Sequence, residues 1–318
     1  VLFRSVRSSK VLDFSKSADN GFPYNECITF SRDDAMLIFG GDLWDKGGYD
    51  LYVARQLLYL KRRFPKRVFF VCGNRDINKL RILQEMGWGD QDMPKHPGIM
   101  WFKGTGRVGD PEGSLPSDDP VERLQWILGK TMGSPDAFEL RKGELEWERQ
   151  QKSSTEKVSN LDVVESYRNS CHPNGEMGQF LSHSHLALCV GPILVLHGCL
   201  PLTEEVMAAA AHANSESTST SISIWDDLSF CMPWIKPGES AESDYGVSTI
   251  EEWLEALNTF FGEKVKEWQN EIRRIEETKE RATGTEASKS NIWVHRLGYH
   301  FGPSYSQLID RKSTRLNS

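Results

Sequence analysis

The chain has 318 residues, 38% of them apolar and 26% charged, with 45 acidic against 38 basic side chains and a net charge of −7. That length supports one large core or two modest ones, and the acidic balance makes no electrostatic case for nucleic acid or an anionic membrane as partner. No apolar run approaches the roughly 20 residues of a membrane-spanning helix.

The six cysteines, at positions 27, 72, 171, 189, 199 and 231, include no C-x-x-C pair. With Cys72 and Cys189 inside strand-like runs, they read as buried thiols of a reducing compartment, and a cytoplasmic location is expected.

Residues 1–5 (VLFRS) and 310–318 (DRKSTRLNS) resemble translated read-through of sequencing adapters. They are set apart as scars, with the domain expected to continue past both ends. AMLIF (35–39) predicts a short apolar strand ending in GGD. From 49 to 63, Leu51, Ala54, Leu57 and Leu58 keep helical spacing, and Phe64-Pro65 stops the helix. RVFFVC (67–72) predicts a second buried strand, ending in Gly-Asn. Strand, helix, strand with near-continuous apolar strands predicts a parallel unit in an α/β protein. Both glycine turns then lie at the carboxyl ends of neighbouring strands, where open α/β sheets bind ligands.

Residues 6–86 thus read as the first part of a domain, and 87–185 as a mostly helical insertion. Its Gly-, Pro- and Asp-rich start (87–120) predicts a loop, and 121–132 and 135–152 predict helices. LALCVGPILVLHG (186–198) predicts a hairpin broken at Gly191-Pro192, its second strand ending in His197-Gly198; 186–202 returns to the same domain. Residues 203–309 hold a serine-rich loop, HANSESTSTSIS (212–223), and a long helix over about 249–281. Ser248 and Glu251 form its capping box. Trp253, Leu257, Phe260, Phe261, Trp268, Ile272 and Ile275 recur at three- and four-residue steps, the pattern of a helix packed on its own domain.

Three strand ends therefore carry GGDLWDKGGYD (40–50), CGNRD (72–76) and LHGCL (196–200). Each supplies a metal ligand just past a strand: Asp42, Asn74 and His197. A carboxylate can bridge two divalent ions while an amide oxygen and an imidazole complete the shell of one. A two-ion clamp of that kind suits phosphate-ester hydrolysis. SHSH (182–185) fits no tight zinc ligand pair, and GTGRVG (104–109) lacks the strand and the Lys-Ser/Thr ending of a phosphate loop.

The ordered set GD-x-x-D-K-G, GN-x-D and HG resembles the calcineurin-like metallophosphoesterase superfamily, in the style of its serine/threonine phosphoprotein phosphatase branch with GD-x-x-D-R-G, GNHE and HGG. The resemblance covers 36–82 and 186–202. It implies an α/β fold with a β-sandwich flanked by helices, here with the inserted helical element and the long C-terminal helix. It also implies two divalent metal ions (manganese, iron or zinc), and hydrolysis of a phosphorylated protein or small molecule by metal-activated water. Position by position, it makes Asp42 the metal-bridging carboxylate and Asn74 and His197 ligands of the second ion. Asp45 would lie beside the metals, Lys46 stands at a phosphate-binding arginine, and Asp76 matches the acid that orients the catalytic histidine.

That histidine is Arg75 in this chain. Arginine cannot give up a proton near neutral pH, yet it can clamp a phosphate through paired hydrogen bonds. The alternative is an Arg75–Asp76 or Arg75–Asp45 salt bridge with no catalytic part. The family's opening Asp-x-His and closing Gly-His-x-His type motifs are missing. Asp13, Asp19, Glu26, Asp33 and Asp34 upstream, and His295 and His300 downstream, stand in neither context. Truncation accounts for both absences; the runner-up reading is a pseudophosphatase that binds a phosphorylated partner without turnover.

Overall fold

The strand–helix–strand unit expected from the apolar spacing is present in the structure, a computed structural model that describes residues 2–17, 22–87, 117–198 and 250–281. The loop expected through 88–116, the serine-rich stretch, Ser248, Cys199, Cys231, His295, His300 and the 310–318 tail lie outside those residues. Strand β3 (Leu37–Phe39) leads into α2 (Asp50–Arg63), which leads into β4 (Val68–Val71). The two strands pair in parallel with Ile38 opposite Phe69. A two-residue strand, β5 (Ser184–His185), lies parallel on the other side of β4. Central position explains the composition of β4: Val68, Phe70 and Val71 are fully buried and none needs a polar face.

Before this unit come α1 (Leu2–Ser8) and an antiparallel pair, β1 (Leu12–Lys16) and β2 (Glu26–Phe30). Between β4 and β5 run α3 (Asn74–Asn78), a 3₁₀ turn (Lys79–Arg81), α4 (Ile82–Met86), α5 (Pro120–Trp126) and a π-helical turn (Ile127–Thr131). They are followed by α6 (Ala137–Gln151), α7 (Asn160–Cys171) and α8 (Glu176–Ser182). Local chemistry sets the starts of these helices. Asp119 accepts the Val121 and Glu122 N–H groups ahead of Pro120 at the first position of α5. Ser159 and Asp162 cap α7 reciprocally.

Strands β6 (Ala187–Val190) and β7 (Ile193–Leu196) form the expected hairpin, turning at Gly191 with φ +57°. The described strands fall into sheets of two, three and two members, so the architecture is mixed α/β; a β-sandwich is not among them. The hairpin leaves one side of β6 to solvent, and this corrects the reading of Cys189, which is exposed while Cys27, Cys72 and Cys171 are buried.

The last of the described helices, α9 (Ile250–Arg281), packs on its own chain. Leu254, Leu257, Phe261, Val265, Trp268 and Ile272 are buried along one face. Asn258 joins the helix to the start of β6, accepting the Leu186 N–H at 2.9 Å and donating to the Ala187 carbonyl at 2.9 Å. Among the described residues, no helix is long and apolar enough to cross a membrane.

Candidate active site

Three strand ends meet at a glycine. Gly41, after β3, has φ +90°, and a Cβ there would lie 2.7 Å from the Gly73 nitrogen and 2.8 Å from His197 Nδ1. Only a residue without a side chain lets the turns after β3, β4 and β7 close on one another. Asp42 follows in the left-handed region at φ 55°, a conformation aspartate tolerates better than most residues.

The Asp42 carboxylate is the centre of the cluster. Its Oδ1 accepts the Arg75 backbone N–H at 3.1 Å. Its Oδ2 lies 3.3 Å from His197 Nε2 and 3.7 Å from Arg75 Nε. Burial works against the charged carboxyl, but the His197 hydrogen bond, the Arg75 N–H and the two cations outweigh it and hold its pKa below the ordinary range. The same bond raises the pKa of His197 against the opposing effect of burial. His197 Nδ1 donates to the Gly40 carbonyl at 2.7 Å, the kind of support that orients a metal-binding imidazole through its other nitrogen. Asn74 is the first residue of α3, and its side-chain amide makes no hydrogen bond to another described residue.

Asp42 and His197 could supply two ligands to one metal ion. Once His197 Nε2 is deprotonated, it and Asp42 Oδ2 are ligand atoms 3.3 Å apart, the spacing of two atoms each about 2.1 Å from one ion near a tetrahedral angle. Among the described residues, no group of three His, Cys, Asp or Glu side chains converges; the third ligand type on offer is the Asn74 amide.

Asp76 is held by backbone donors. Fully buried, it accepts the N–H groups of Asp42 at 3.0 Å, Leu43 at 2.9 Å and Gly73 at 2.7 Å. It thereby pins the β3 turn to the β4 turn. Burial raises its pKa to about 7 despite these three donors, and the neighbouring Asp42 charge adds to the rise. Among the described residues Arg75 pairs with neither Asp76 nor Asp45; its ion-pair partner is Asp42. Asp45 is also turned to the interior, where it meets the buried ammonium of Lys79 and accepts the Tyr167 hydroxyl at 3.1 Å. Burial pulls the pKa of Lys79 down. Lys46 stays exposed and donates to the Gly133 carbonyl at 3.2 Å.

The structure thus brings Asp42, Arg75 and His197 together, places Asn74 beside Arg75 at the start of α3, sets Lys46 at the rim, and makes Asp45 and Asp76 supports beneath. Sequence reasoning missed Lys79, Tyr167 and Ser134. Lys79 had a signal: it follows Asp76 by three residues, so both lie on the inner side of one helical turn. Ser134, whose Oγ accepts from Arg75 Nη1 at 2.6 Å, had none. No family model matches this chain, and neither a curated protein nor a solved structure does.

Proposed function

We propose that this chain carries the site of a metal-dependent phosphoesterase of the calcineurin-like metallophosphoesterase type, close to its serine/threonine phosphoprotein phosphatase branch. The observation that supports the reading is the meeting of Asp42 and His197 from separate strand ends, with Asp42 Oδ2 and His197 Nε2 3.3 Å apart, and Asn74 next to Arg75 at the third strand end. Asp42, Asn74 and His197 would hold a divalent ion, Asp42 bridging to a second. Such ions, when bound, supply an activated water and stabilise the charge that builds on a phosphate ester in hydrolysis. The finer fold belongs with the same proposal: a β-sandwich in which the β3–β4–β5 sheet and the β6–β7 hairpin are parts of the two layers.

The chain's own residues divide the remaining work. Arg75 and Lys46 bind and orient the phosphate and offset its charge. Asp76 and the Asp45–Lys79 pair hold the turns that present Asp42. The test is manganese titration together with p-nitrophenyl phosphate hydrolysis for the wild type and Asp42→Asn. Loss of both in the variant is expected; near-normal loading and turnover would overturn the assignment.

One observation favours a second reading. Arg75 stands where a proton donor is expected, and arginine cannot serve as one. A protein that binds a phosphorylated partner without turning it over fits that feature. Phosphate binding with no hydrolysis, and none gained in Arg75→His, would select it.

A further inference from the structure

We infer that Ser134, in the inserted helical element, is a positioning residue that holds the guanidinium of Arg75 so that its Nε–Nη2 edge faces a tetrahedral oxyanion beside Asp42. This rests on the phosphoesterase reading above and deepens it by naming what sets the phosphate clamp.

The argument begins with the backbone of residues 127–134. The π-helical turn closes with the Met132 N–H on the Ile127 carbonyl at 3.0 Å, and the Ser134 N–H returns to the Leu128 carbonyl at 2.8 Å. Gly133, at φ +63°, reverses the chain between them. The turn is anchored rather than loose. Thr131 Oγ1 donates back to the Ile127 carbonyl at 2.8 Å and accepts from Arg81 at 2.9 Å, and Met132 and Ser134 are buried. π-helical turns of this kind cost backbone regularity and recur at functional sites.

What this turn holds is the pair of cations assigned to phosphate. Arg75 Nη1 donates to Ser134 Oγ at 2.6 Å and to the Met132 carbonyl at 3.3 Å. Lys46 donates to the neighbouring Gly133 carbonyl at 3.2 Å. Ser134 Oγ itself donates to the Met132 carbonyl at 3.4 Å, so its lone pairs are free for the arginine. A guanidinium has five N–H donors in a planar fork. Both protons of Nη1 are taken by the turn, and Nε lies 3.7 Å from Asp42 Oδ2. Nη2 makes no hydrogen bond to a described residue. The edge left over, one N–H on Nε and one on Nη2, has the parallel geometry that binds two oxygens of a phosphate. A buried serine hydroxyl is therefore spent on aiming an arginine whose other edge reaches the Asp42 site.

The experiment uses the full chain with manganese and inorganic phosphate as the probe, measured by calorimetry for wild type, Ser134→Ala, Ser134→Thr, Arg75→Ala and the Arg75→Ala/Ser134→Ala double variant. Ser134→Ala should weaken phosphate binding roughly tenfold, the worth of one charge-assisted hydrogen bond, with manganese affinity unchanged. Ser134→Thr, which keeps the hydroxyl, should restore binding. In the Arg75→Ala background the serine substitution should cost nothing more, because its effect passes through the arginine. Wild-type-like binding by Ser134→Ala, or a further loss in the double variant, overturns the positioning role and leaves the phosphoesterase reading standing. Absence of phosphate binding by the manganese-loaded wild type overturns both. Should Ser134→Ala fail to fold, the comparison passes to Ser134→Thr and Ser134→Cys: binding that follows hydroxyl retention supports the role, and equal binding refutes it.

Discussion

Replacing Asp76 by alanine tests the claim that this residue builds the site instead of taking part in the chemistry. Its carboxylate is completely buried and accepts three backbone N–H groups, two on Oδ2 (Asp42 and Gly73) and one on Oδ1 (Leu43). Alanine leaves all three donors without a partner in a dry place, at about 1–3 kcal/mol each. The sum is not the expected effect. Burying this carboxyl is itself unfavourable, as its pKa of about 7 shows, and that cost disappears with the side chain. A net loss on the order of 4 kcal/mol is expected, a large share of the stability of an ordinary domain.

Asparagine provides the graded control. With its oxygen at the Oδ2 position it keeps the Asp42 and Gly73 bonds, and its NH₂ then confronts the Leu43 N–H. One bond of three is lost, about 1–3 kcal/mol. Urea unfolding in chelator-containing buffer measures both variants without contribution from metal. The reasoning fails if Asp76→Ala costs less than about 1 kcal/mol, or if asparagine is as damaging as alanine. Unchanged stability with a selective collapse of turnover would restore Asp76 to the role of orienting a catalytic partner.

Two further substitutions probe the supports of the fold. Trp268 is 1% exposed and donates to the Leu80 carbonyl at 3.2 Å, so Trp268→Ala should cost about 3–5 kcal/mol in urea unfolding; a loss under about 1 kcal/mol would mean that α9 does not seal this core. Glu144, on α6, accepts the Leu51 and Tyr52 N–H groups at 3.2 and 2.7 Å, facing Asp50 and Arg141. Burial pushes its carboxyl up to about 7 against the pull of Arg141, so the folded chain keeps a proton that the unfolded chain releases near the ordinary carboxylate pKa. The Glu144 contribution is therefore full below about pH 4 and is lost as pH rises through about 7. Wild-type stability should fall over that window by an amount on the order of 3 kcal/mol from this group. Glu144→Gln should flatten part of the slope, the rest belonging to Asp50 and Asp76, which burial also raises to about 7; an unchanged slope would refute the assignment.

How much of this was legible in the sequence depends on how far apart the interacting residues lie. The β3–α2–β4 unit follows from apolar runs and helical spacing, because each element's burial is written in its own residues. Helix α9 is legible for the same reason, down to Trp268 and Ile272 on its inner face. Cys189 was not legible: a run such as LALCV reads alike whether one or both faces of the strand are covered, and here the strand belongs to a two-stranded hairpin with solvent on one side.

The site divides along the same line. Asp42, Asn74 and His197 could be placed at strand ends from local pattern, and the meeting of those ends depends on Gly41, where a single Cβ would collide with both neighbouring turns. Arg75 shows where local pattern stops. Its side chain has several partners within reach in sequence, Asp76 beside it and Asp45 in the preceding motif. The structure gives Asp76 to backbone donors and Asp45 to Lys79 and Tyr167. Both carboxylates are thereby withdrawn, and the guanidinium is left to Asp42 and to a turn 57 residues further along the chain. A charge next to an opposite charge in sequence is thus a poor guide to its partner. What decides is which acceptors the backbone has already claimed, and that accounting closes only when the turns are packed.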